Sequence, residues 1–113
     1  MAGKGGYKQW TKAERDRSYR LTRLAILTGV IPPPSCCNRC GQAEGLIHYH
    51  NHDYSDPIKY LEQLCWRCHM VLHCEHRAPD ACAAYWEAIR DGFRWAPVHK
   101  HSFGILWRDH GIR

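Results

Sequence analysis

The sequence predicts a small α+β zinc-binding domain, and three observations carry that reading. The chain has 113 residues, enough for one domain with extensions but leaving a thin core. It contains 7 Cys and 9 His, an abundance of the side chains that bind borderline metals. Two C-x-x-C pairs, Cys37 with Cys40 and Cys65 with Cys68, bracket a stretch long enough for a hairpin. Burial alone seldom outweighs chain entropy in so small a core, and a metal supplies the difference.

Segments 1–10, 11–34, 35–78 and 79–113 read as distinct parts. The first, MAGKGGYKQW, lacks a hydrophobic pattern and is expected to be a flexible lead-in. Thr11 followed by Glu14 is a capping box that opens a helix, with an apolar stripe at Leu21, Leu24, Ala25 and Leu27 and arginines on other faces. Gly29 stops it, and Ile31-Pro32-Pro33-Pro34 is a stiff connector. Leu46 to His50 alternates as a short strand, Asp53-Tyr54-Ser55-Asp56-Pro57 is loop chemistry, and Leu61 to Leu64 leads to the second knuckle. His69 to His73 starts a helix and Pro79 begins another that runs to Gly92. The tail from Phe93 is aromatic-rich, including Phe103 and Trp107, and is expected to pack back on the core.

Each C-x-x-C turn brings two thiolates to one face, and two such turns complete a tetrahedron, so Cys37, Cys40, Cys65 and Cys68 are the expected ligands of a structural zinc. A redox C-x-x-C is the competing reading, but no βαβ pattern surrounds either pair. Cys36 adjoins Cys37 and is not expected to ligate, while Cys74 and Cys82 read as small buried residues. Met1 to Trp10 holds no apolar stretch, and seven is an odd number of cysteines, so a reducing, cytoplasmic setting is expected. No apolar run approaches the ~20 residues that span a bilayer, and no membrane partner is expected.

The run CNRC, HYHNHDYSDP, LCWRCHMVLH, from about Cys37 to His73, resembles small phage-type HNH endonucleases. The resemblance implies an HNH-like ββα-metal (treble-clef) core with flanking helices, stapled by the cysteine zinc. It further implies a second divalent metal (zinc, nickel, magnesium or manganese) at His50, His69 and His73; three imidazoles favour zinc or nickel-like ions over magnesium. Related sequences carry two adjacent histidines before the D-Y-S loop, the first resembling a metal ligand and the second the general base. Here the second position is Asn51, and an amide accepts no proton at neutral pH. His48, His52 or His50 itself remain as bases, since alternation puts all three on one face of a strand. The plain alternatives are solvated strand-end residues for His48 and His52, packing under the knuckle for His69, and a helix-surface position for His73.

Lys and Arg number 16 against 11 Asp and Glu, a formal charge of +5. Such a balance suits nucleic acid, DNA ahead of RNA, although ordinary solubility charge explains it equally. Lys12, Arg15, Arg17, Arg20 and Arg23 on the first helix, with Arg39 and Arg67 at the knuckle tips, are the expected phosphate contacts; local ion pairs on a solvated helix face are the alternative. The expected function is metal-dependent cleavage of nucleic-acid phosphodiesters. The alternative is an inactive HNH-like zinc module that binds nucleic acid or a host protein.

Overall fold

The computed structural model describes residues 9–101. Most of the lead-in, and Phe103, Trp107 and His110 of the tail, lie outside the described residues. The elements are α1 (Lys12–Leu27), β1 (Ile47–Asn51), β2 (Leu61–Cys65), α2 (Trp66–Cys74) and α3 (Pro79–Arg90). The strands form one two-stranded sheet, and the loop joining them is too short for a crossover, so they pair as a hairpin. The chain forms two compact units, residues 9–34 with 49–62 and residues 35–48 with 63–101.

In the first unit, α1 starts as its sequence dictates. Glu14 N donates to Thr11 Oγ1 at 3.0 Å and Thr11 N donates to Glu14 Oε1 at 2.8 Å, which closes the capping box. Gly29, at φ +80°, supplies the left-handed turn that ends the helix. The buried face differs from the expected stripe. Ala25 is buried together with Ser18 and Thr22, whereas Leu24 and Leu27 are 54% and 76% exposed. Hydrogen bonding explains the difference, because the helix meets the hairpin loop through small polar side chains. Thr22 Oγ1 donates to the Pro57 carbonyl at 2.7 Å, and Asn51 Nδ2 donates to Ser18 Oγ at 3.1 Å. The proline connector is tied in as well, with Tyr49 Oη donating to the Pro32 carbonyl at 2.6 Å.

The second unit holds the apolar core: Leu64, Trp66, Met70 and Val71 from the end of β2 and α2, Cys82, Tyr85 and Ile89 from α3, and Val98 from the segment after it. The helix expected from His69 begins earlier, at Trp66, because Cys65 caps it: the Cys65 sulfur accepts from Cys68 N. Pro79 sits at the start of α3, where a missing N–H costs nothing. The segment after α3 returns to the core, as its aromatics suggest. Trp95 stacks on Tyr85 at 4.5 Å with the rings 10° apart, and Leu46 N donates to the Val98 carbonyl at 2.8 Å.

That return depends on Gly45. It adopts φ +76°, and a Cβ there would lie 2.5 Å from the Val98 carbonyl oxygen. Gly45→Ala is therefore expected to lower unfolding free energy by about 2 kcal/mol, combining left-handed strain with displacement of the Val98 strand-like contact. Urea denaturation checks this, and an unchanged midpoint would contradict it.

Candidate metal centre

The first knuckle is a backbone turn. Cys37 N donates to the Gln42 carbonyl at 2.8 Å and Gly41 N to the Cys37 carbonyl at 2.9 Å, with Gly41 at φ +80°. Asn38 N donates to the Gln63 carbonyl at 2.7 Å, which pins this turn beside β2. The second knuckle straddles a strand and a helix: Cys65 ends β2 and Cys68 lies in the first turn of α2. The sulfurs of Cys37, Cys40, Cys65 and Cys68 all lie within 4.8 Å of one another, and all but Cys40 are buried.

These four thiols can hold a metal ion such as zinc. The Cys40 and Cys65 sulfurs are 3.7 Å apart, far beyond a disulfide bond of ~2.05 Å. The separation matches the edge of about 3.8 Å that a Zn–S distance of ~2.3 Å gives a tetrahedron. The electrostatics agree. Hydrogen bonds from Cys40, Cys65 and Cys68 pull the Cys37 thiol far down, and contact with Cys37 pushes Cys65 and Cys68 up. One thiolate opposes the next, so four together require a cation. Cys36 stays outside the cluster, exposed, with its sulfur 3.4 Å from the Gly41 carbonyl. Cys74 and Cys82 are buried, and Cys82 Sγ donates to the Val71 carbonyl at 3.5 Å.

Tyr85 is the residue that spacing did not reveal. Its hydroxyl lies 3.2 Å from Cys68 Sγ, with both residues buried. Burial, reinforced by the Cys68 sulfur, pushes the phenol pKa up, so the hydroxyl stays protonated and is able to donate to Cys68 Sγ once a metal makes that sulfur a thiolate. The only sequence signal is its place on the α3 stripe with Cys82 and Ile89.

The histidines divide between the two units. In the second, His69 and His73 on α2 place their Nε2 atoms 3.0 Å apart, as i, i+4 spacing requires. His48 on β1 lies 6.1 Å from His69, ring centre to centre, and its Nε2 is 3.2 Å from Nε2 of His101. Burial holds His48 and His73 below the usual imidazole pKa, helped by the charge of His101 and His76 respectively. Both are therefore neutral donors.

In the first unit, His50 lies on β1 with its ring 4.5 Å from that of His52. The strand ends at Asn51, yet His52 N still donates to the Tyr60 carbonyl at 3.1 Å and its ring stays beside that of His50. His52 Nε2 pairs with Glu62 Oε1 at 2.7 Å. Asn51 holds the loop: Nδ2 donates to Ser18 Oγ and to the Asp56 carbonyl, and Oδ1 accepts from Asp53 N. Asp53 and Asp56 accept backbone amides from Ser55 and from Ile58 and Lys59, which lowers their pKa values and marks them as turn residues.

The basic residues fare unequally. Lys12 pairs with Asp16 at 2.6 Å and Arg15 donates to the Trp10 carbonyl at 2.6 Å, whereas Arg17, Arg20 and Arg23 stand exposed along α1. Arg39 lies 4.8 Å over the Trp86 ring. Arg67 is a correction: it is buried rather than at a knuckle tip, and Nη2 donates to the Ala96 carbonyl at 3.1 Å, because α2 begins one residue before it and turns it inward. No helix among the described residues is long and apolar enough to cross a membrane.

Comparison of the chain with protein-family models, with curated proteins and with solved structures finds no match.

Tyr85→Phe removes the hydroxyl from Cys68 while keeping the ring stacked on Trp95. The variant is expected to melt within a few degrees of wild type yet to yield zinc to a chromogenic chelator roughly tenfold faster. Equal release rates would show that the contact does not stabilise the thiolate.

Proposed function

We propose that the chain is an HNH-like, metal-dependent endonuclease acting on nucleic-acid phosphodiesters, DNA ahead of RNA. The observation that carries this reading is the His52–Glu62 pair, 2.7 Å apart and next to the His50 ring. A base oriented by a carboxylate is the arrangement that activates water in hydrolases. With Nε2 turned to Glu62, His52 Nδ1 takes the proton of an attacking water, and the carboxylate stabilises the imidazolium that results. His52 thereby replaces the base missing at Asn51.

The second divalent ion in this reading is the one that the HNH resemblance assigns to His50, His69 and His73. The His69–His73 separation suits two ligands of one ion, and neutral imidazoles favour zinc or nickel over magnesium or manganese. When bound, such an ion would supply Lewis-acid stabilisation of the charge that builds on the phosphate oxygens. The exposed Arg17, Arg20 and Arg23 would bind the phosphate backbone without reading sequence. The cysteine zinc is structural in this account.

Asn51 favours a second reading. All its hydrogen-bonding capacity seen here goes to the loop and to Ser18, as in a module that keeps the fold without the family's base. Such a protein would bind nucleic acid or a host protein and cut nothing.

Nicking of supercoiled plasmid in the presence of magnesium, manganese, nickel or zinc separates the two. The enzyme reading predicts cleavage that falls by about 100-fold or more in His52→Ala and by a smaller factor in Glu62→Gln. Full activity in His52→Ala would remove the proposed base. A wild-type protein that shifts DNA at low salt but never nicks it would establish the second reading.

A further inference from the structure

The His48–His101 pair belongs to neither metal site proposed so far. His48 comes from β1 and His101 from the segment beyond α3, and both are in the second unit. Their Nε2 atoms, the two outermost nitrogens, face each other at 3.2 Å. Two imidazoles on one tetrahedral ion have nitrogens about 3.3–3.4 Å apart, from a Zn–N distance of ~2.0–2.1 Å. The pair therefore already has ligand spacing.

Trp66 holds it there. The buried indole meets both rings edge on, with centroids 5.6 Å from His48 and 4.6 Å from His101. Their own ring centres are 5.2 Å apart at 43°, which is not a stack; the rings converge through their tips. A single N–H···N hydrogen bond has a similar length; what the ion adds is a use for two converging imidazoles set on an apolar indole beside a third, His69.

We propose that His48 and His101 form a separate binding site for a borderline divalent ion of the zinc or nickel type. Two protein ligands leave the remaining positions to water or to an oxygen of a bound phosphate. His48 is a ligand in this assignment and not a catalytic base. The site does not depend on the nuclease reading, because it uses neither His50 nor His73.

The test uses the full chain with its cysteine site loaded with zinc, titrated with nickel by calorimetry and by equilibrium dialysis. His101→Ala should melt with wild type and lose one equivalent of nickel, or bind it roughly tenfold or more weakly. His73→Ala should keep that equivalent. Nickel should also quench tryptophan emission in wild type more than in His101→Ala, through Trp66 beside the pair. Identical titrations for wild type and His101→Ala, or loss of the same equivalent in both variants, would overturn the proposal. Failure of plasmid cleavage would leave these readouts unaffected, so the two ideas fail separately.

Discussion

Four sulfurs within 4.8 Å of one another are the constraint on which the second unit depends. Thiols so crowded cannot all ionise without a cation, yet as thiolates around one they would contribute on the order of 10 kcal/mol of folding free energy. That is comparable with the whole stability of a typical domain. Cys65 shows how tightly the constraint is built in. It ends β2, caps α2 and contributes one of the sulfurs. The helices then pack around the cluster, and Tyr85 reaches Cys68 from α3.

The first unit is assembled differently. Its helix docks on the hairpin loop through Ser18, Thr22, Asn51 and the Pro57 carbonyl, so polar groups fix the geometry where leucines were expected. Buried hydrogen bonds are directional, and this one network sets the shape of the loop that carries His52. Asn51 therefore has a structural job in this loop, and the next residue, His52, is held by Glu62. The exposed Leu24 and Leu27 follow from the same choice of face.

What was legible in sequence is what short-range chemistry determines. The knuckle spacing, the Thr11 capping box, the Pro79 helix start and the i, i+4 pairing of His69 with His73 all lie within a few residues of one another. The misses are long-range. Glu62 reaches His52 across a hairpin, Arg67 finds Ala96, Tyr85 finds Cys68 and His101 finds His48, and no local pattern announces any of them. The α1 face departs from its apolar stripe for a related reason: amphipathicity counts apolar residues, and this helix buries hydroxyls.

The central claim is that one zinc ion at Cys37, Cys40, Cys65 and Cys68 holds the second unit together. Metal content and thermal unfolding of the purified protein, measured before and after exhaustive chelation, test it most directly. The account predicts tightly held zinc that is lost from Cys37→Ser, and, on chelation, loss of the cooperative transition with all 7 thiols becoming reactive to dye. A melting transition that survives complete removal of metal would contradict it.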